Sequence, residues 1–332
     1  MTTVRESLNK ALIACLRESA EVYFLGEDIL DPYGGAFKVA EGLSTQFSDL
    51  VITTPVSEAG IVGVGIGMAL RGLRPVVEIM FGDFITLAAD QLINHAAKIR
   101  WMSGDATSVP LVVRTPMGGG RGYGPTHSQS LEKHFLGVAG LRVVAVSSLD
   151  DPGALLRSAV LEDDDPVLLV EHKLLYPSAI LPLDGRGDFD IVRHSNGYPD
   201  YQLQLHRSPK PSLTLGAYGY MAELAREAMR RLAYEKEIFC ELIVPTQISP
   251  FKLESLYESA AQTKRVLVIE EGSQTMGWGA EVSARLHEDM PSKIKVGRIG
   301  ALEMPIPAAI RLEAAVLPSI EKIMNMAVAL IA

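Results

Sequence analysis

The chain has 332 residues, 48% of them hydrophobic, which is more than a single core usually serves, so two domains are expected. A net charge of -9 and a pI near 5.4 exclude a strongly basic face, so nucleic acid is not an expected partner. Two distant cysteines, Cys15 and Cys240, exclude a disulfide framework; a charged N-terminus without a signal-peptide core, and no expected apolar run near the ~20 residues of a membrane helix, predict a cytoplasmic protein that does not enter the membrane.

Short Val/Ile/Leu-rich runs predict strands at 22–25, 51–53, 75–79, 111–114, 142–146 and 167–171, with helical patterns at 86–100 and 153–161 among them. A second set follows at 213–217, 239–244, 265–269 and 295–298, with a helical pattern at 221–233. Near-continuous apolar runs suit strands buried on both faces, and their alternation with helices predicts parallel sheets of the α/β class. The stretch 182–211 is dense in Gly and Pro and reads as an inter-domain linker with an irregular hairpin. The expected division is residues 1–184, a linker at 185–211, and residues 212–332.

After the strand at 51–53, Ser57 is placed to cap a helix running to about Leu70. That helix contains Gly60, Gly63, Gly65 and Gly67. Each interior glycine costs ~1 kcal/mol relative to alanine, so close approach of another backbone is expected. The spacing differs from a dinucleotide fingerprint, and Glu58 in the first turn would repel a phosphate. A carboxylate there suits a neutral or weakly basic nitrogen heterocycle; taken singly, it is a first-turn acid favouring the helix dipole.

Residues 118–124 hold five glycines in seven positions, after the strand at 111–114. A loop after a parallel strand lies at the carboxyl edge of the sheet, where ligands bind in open α/β folds. His127 ends this loop ahead of a helix expected near Ser130, and it can exchange protons near neutral pH. His95 and His134 lie on helical patterns and are assigned no chemistry.

Leu25-Gly-Glu-Asp, Pro55-Val-Ser-Glu-Ala-Gly, Arg74-Pro-Val-Val-Glu-Ile-Met-Phe-Gly-Asp-Phe, Asp90-Gln-Leu-Ile-Asn and Thr126-His-Ser-Gln fall in one register. Together they resemble the beta subunit of the decarboxylating component of 2-oxoacid dehydrogenase complexes of the pyruvate, branched-chain and acetoin type. The resemblance covers nearly the whole chain. It implies a parallel-sheet thiamine-diphosphate pyrimidine-binding fold followed by a transketolase C-terminal-like α/β domain. In that family Glu58 would hydrogen-bond the aminopyrimidine ring and favour its imino tautomer, whose nitrogen removes the thiazolium C2 proton. Phe84 would stack on the pyrimidine, His127 would line the active-site channel and assist proton transfers, and Glu27 would add to an acidic channel. A potassium site of main-chain oxygens would lie near Leu111, Ala159 and Val160, although the acidic turn at 162–166 is one residue longer than the family's.

The family holds the cofactor's diphosphate through magnesium, with a Gly-Asp-Gly signature and a later Asn; magnesium favours such oxygen ligands. This chain has no Gly-Asp-Gly, only Gly82-Asp-Phe, Gly104-Asp-Ala and Gly187-Asp-Phe. The resemblance therefore implies an alpha subunit carrying that half of the site, in an arrangement of two alpha and two beta chains. The second domain departs from the family at 193–211 and at Val244-Pro-Thr, where Asp-Leu-Arg is usual. The function implied is acyl transfer from pyruvate or acetoin to a lipoyl carrier on an acyltransferase core. Carboligation onto a carbonyl acceptor and a non-catalytic scaffold are the alternatives; a nicotinamide dehydrogenase fails on motif spacing and on the sign of Glu58.

Overall fold

Alternate side chains along the first-half strands point to opposite faces, and both faces find helices. A computed structural model describes residues 2–183, 187–290 and 293–332. The first half supplies β1 (Val22–Gly26), β2 (Val51–Thr53), β3 (Arg74–Glu78), β4 (Val112–Met117), β5 (Arg142–Ala145) and β6 (Val167–His172). The second half supplies β7 (Phe189–His194), β8 (Asp200–Leu205), β9 (Leu213–Ala217), β10 (Cys240–Pro245), β11 (Gln247–Ser249), β12 (Arg265–Ser273) and β13 (Lys295–Ala301).

The first sheet runs β11-β5-β6-β4-β3-β1-β2, parallel except for β11. Val76 and Val112 face helices Val4–Glu18 and Pro152–Leu161. Their neighbours Val77 and Val113 face the glycine helix Glu58–Ala69, in a core that continues into the second half through Trp278 and Val282. The second sheet runs β13-β12-β9-β10-β8-β7, with its first four strands parallel. Every strand expected from the sequence is present, and the two-domain α/β class holds.

Several local expectations are corrected. The expected linker carries β7 and β8, an antiparallel hairpin joined to β10; its first two residues, 185 and 186, lie outside the described set. The Gly and Pro density marks turns between edge strands, and half-solvated β7 reads as polar chain. The pattern at 86–100 is three pieces: a 3-10 segment Gly82–Ala88, a π segment Gln91–Ala96 and a helix Ala97–Met102. No long helix begins near Ser130, only the short turn Glu132–Phe135. Ser57 stands at the N-cap without a capping hydrogen bond from its side chain. The 22-residue stretch Ile310–Ile331 corrects the expectation of no long apolar run, with a mean hydropathy of 1.5 over 18 of its residues. It folds as helices Ile310–Val316 and Ile320–Ile331 either side of Pro318, and the second buries Ile323, Met324 and Leu330 against the second sheet.

Candidate active site

The site forms where β1, β2, β3, β4 and β6 end together at the carboxyl edge of the first sheet. Its floor is charged and buried. Arg114 on β4 donates from Nε to Glu171 Oε1 at 2.8 Å and also pairs with Glu78, while the Tyr176 hydroxyl donates to Glu171 Oε2 at 2.8 Å. Burial raises the Glu78 carboxyl and Arg114 opposes that rise. With both carboxylates tied to one guanidinium, three strand ends are locked in register beneath the site.

Glu27 follows β1, and Glu58 opens the glycine helix after β2; both are buried. Glu27 Oε1 has no hydrogen-bond partner, and none reaches the Glu58 carboxylate among the described residues. Burial, then the charge of Glu58, raises the Glu27 carboxyl above the ordinary range, against a Ser57 backbone N–H that lowers it. A buried carboxylate oxygen without a donor is costly, so the corner at Glu27 Oε1 suits a ligand that brings one.

After β3 the chain turns through Phe81 and Phe84. Their rings meet the His127 imidazole edge-on, with centroids 4.9 and 5.2 Å away. Phe37 and Tyr123 join the same cluster around Phe81, at 5.4 and 6.2 Å. His127 Nδ1 meets Thr126 Oγ1 at 3.0 Å, leaving Nε2 for proton exchange. The glycine loop between β4 and His127 begins at Gly118, with φ +89° and a virtual Cβ only 1.9 Å from His172 Nε2, so no other residue fits there. Lys173, fully buried after β6, donates from Nζ to the His127 carbonyl at 2.6 Å. Burial pulls its ammonium down to about 8, while Asp83 and Glu271 hold it up.

The structure therefore brings Glu27, Glu58, Phe84 and His127 to one sheet edge, and adds Phe81, Lys173 and Tyr123, which the sequence reading missed. Phe81 was visible inside the Glu78–Phe84 motif, and Lys173 by its position directly after a parallel strand. His95 and His134 are exposed, and His95 pairs with Asp90 at 3.4 Å. Leu111, Ala159 and Val160 lie elsewhere, at the start of β4 and on helix Pro152–Leu161. There the Val160 and Asp163 carbonyls accept from Arg74 at 3.0 and 2.9 Å, and the Leu111 carbonyl accepts from the Val167 N–H at 2.8 Å. Asp163, Asp164 and Asp165 of the acidic turn pair with Arg142, Arg74 and Arg100. A guanidinium thus lies on two of these carbonyls.

Two buried carboxylates and an aromatic–histidine cluster gathered at the carboxyl edge of one parallel sheet mark a ligand site of the open α/β class. Residues 1–179 match the transketolase pyrimidine-binding domain and residues 202–323 the transketolase C-terminal domain. A solved structure described as a split-gene transketolase, an inactive beta4 tetramer, superposes with a TM-score of 0.76 over 100% of this chain and 99% of that one; at 20% identity it supports the fold. The chain is 35% identical over 328 residues to pyruvate dehydrogenase E1 component subunit beta-1 of Oryza sativa subsp. japonica, covering 98% of this chain and 85% of that protein. It is 36% identical over 320 residues to 2-oxoisovalerate dehydrogenase subunit beta of Pseudomonas aeruginosa, covering 92% and 89%. The chain belongs to the beta-subunit family of 2-oxoacid dehydrogenase E1 components.

Proposed function

We propose that this chain is the pyrimidine-binding half of a thiamine-diphosphate 2-oxoacid dehydrogenase component, acting on pyruvate or acetoin and passing the acyl group to a lipoyl carrier. The observation that carries this is the Glu58 carboxylate, on a buried residue and without a hydrogen-bond donor among the described residues, next to buried Glu27 and at the same sheet edge as the Phe81–Phe84–His127 rings. An aminopyrimidine supplies the donors and the flat face that this corner lacks. When bound, thiamine diphosphate supplies the thiazolium carbon that stabilises charge as the bond beside the keto group breaks.

Glu58 shares a proton with the pyrimidine nitrogen at its carboxylate oxygen. Burial, and then the charge of Glu58, raise the carboxyl of its neighbour Glu27 above the ordinary range. His127 moves protons at Nε2 near the reacting carbon, and Phe81 and Phe84 exclude water from it. With no Gly-Asp-Gly in the chain, an alpha subunit is assigned the diphosphate and its magnesium. Gly60, Gly63, Val64 and Gly67 form an exposed strip along the glycine helix, suited to close backbone approach by that subunit or by a second beta chain in an alpha2beta2 assembly.

Calorimetric titration of thiamine diphosphate with magnesium tests this on the lone chain and on its complex with a Gly-Asp-Gly-bearing alpha chain. Tight binding only in the complex supports the split site, and tight binding to the lone chain overturns it. Product analysis then sets the acceptor: an acylated lipoyl group is expected, an acyloin as sole product replaces it with carboligation, and turnover unaffected by Glu58→Ala leaves a scaffold.

A further inference from the structure

The Gly118 N–H opens the glycine loop by donating to the Gln129 carbonyl at 3.1 Å. Left-handed turns at Gly118, Gly120, Gly122 and Gly124 leave the N–H groups of Gly119, Gly120 and Gly122 to find acceptors elsewhere. Two carboxylates of the second domain take them. Glu271, on β12, accepts from the Gly119 N–H at 2.7 Å. Glu313, on helix Ile310–Val316, accepts from Gly120 at Oε1 and from Gly122 at Oε2, at 2.9 and 2.8 Å. Glu313 is 1% exposed, and both its oxygens are spent on this loop.

The same carboxylates act on the cation that holds His127. Lys173 feels the charges of Glu271 and Glu313, and its Nζ fixes the His127 carbonyl. One end of the loop is thus held by second-domain carboxylates through three amides, and the other by a buried ammonium that those carboxylates help to neutralise. The loop lies directly on the second domain: a Cβ added at Gly122 would meet the Ala308 carbonyl at 2.9 Å.

We infer that Glu313 is a positioning residue for His127, so that the second domain sets the geometry of a proton-transfer group carried by the first. Glu313 touches neither substrate nor cofactor; it acts through the Gly120 and Gly122 amides. This rests on the reading of His127 as catalytic given above. Glu313→Gln keeps the size of the side chain but turns one acceptor into a donor facing an N–H, which releases one arm of the loop.

The test uses the complex with the alpha chain. Glu313→Gln should lower kcat on the order of ten- to a hundred-fold, the usual scale for a misplaced group, with KM and thiamine-diphosphate affinity unchanged. In a His127→Ala background it should add no further loss, whereas a purely structural role would multiply the two losses. Glu313→Asp, which keeps both oxygens, should recover part of the rate; if the Gln variant does not fold, Asp carries the same comparison. Trypsin cleavage after exposed Arg121 should be faster in Glu313→Gln. Unchanged kcat, or losses that multiply with His127→Ala, would overturn the inference. A wild-type complex without 2-oxoacid turnover would instead sink the functional reading, and the Arg121 cleavage rate would still report whether Glu313 holds the loop.

Discussion

Glu58 sets its charge against Glu27: burial first, and the Glu58 charge next, push the Glu27 carboxyl upward, a like-charge strain between two buried acids. Glu58→Gln should relieve this strain and raise the thermal midpoint of the lone chain. The same change should lower turnover of the assembled enzyme by about 10²–10⁴, the range of a general acid–base group. Differential scanning fluorimetry and steady-state kinetics on one preparation check both signs; a fall in midpoint with normal turnover would place Glu58 among structural acids.

The glycine helix offers an internal control. Gly65 is buried, and a Cβ there meets Leu111 Cδ1 and Val77 Cγ2, both at 3.1 Å. Gly67 is exposed, with nothing within 4 Å. Gly65→Ala should destabilise the lone chain by overpacking, on the order of 1–3 kcal/mol. Gly67→Ala should stabilise it by up to ~1 kcal/mol through helix propensity, yet weaken assembly if that face is the proposed site of a partner's backbone. Denaturant unfolding and analytical ultracentrifugation with the alpha chain separate the two; unimpaired assembly by Gly67→Ala would move the interface elsewhere.

Arg74 makes a claim about ions. Because it satisfies the Val160 and Asp163 carbonyls, exchanging potassium for sodium or tetramethylammonium at constant ionic strength should leave the thermal midpoint unchanged. A midpoint that rises with potassium alone would show that the ion displaces or joins the guanidinium.

Asp200, buried on β8, has one carboxylate oxygen without a partner, and burial raises its carboxyl to about 6. The folded state therefore binds more protons than the unfolded state between about pH 4, the ordinary range, and pH 6. Its contribution is full below that window and is lost as pH rises through it. Asp200→Asn removes the charge while the Ser255 hydroxyl can still pair with the side chain. The variant should be more stable than wild type at pH 8, on the order of 2 kcal/mol, with the advantage fading toward pH 4. Urea titrations at both pH values check this, and an advantage independent of pH would assign it to packing instead.

What was legible in the sequence follows from what is local. Most of the ten expected strands are runs of Val, Ile and Leu buried on both faces, a signal that survives without tertiary context. β7 is an edge strand with polar outward positions, and β11 is only three residues long after Pro245, so neither carries a periodic signature. The pattern at 86–100 is apolar at helical spacing, yet it folds in three pitches as it wraps past the glycine helix. Glu58 and His127 stood out because their neighbours form motifs. Glu313 did not, because its role depends on a glycine 193 positions away. Lys173 did not, because being buried and cationic is a property of the folded site alone.

β11 belongs to the second half by sequence but pairs with β5 of the first, Gln247 opposite Val144 and Ser249 opposite Val143. Ala145 donates to the Thr246 carbonyl at 2.7 Å, and Arg142 reaches Gln247 Oε1 at 2.9 Å. The first sheet therefore has no finished rim until the second half has been made, and a ribosome releasing the first half alone exposes β5 as a sticky border. Amide protons of β5 should exchange in step with those of β10, and a chain cut between the halves should precipitate unless both pieces are present together.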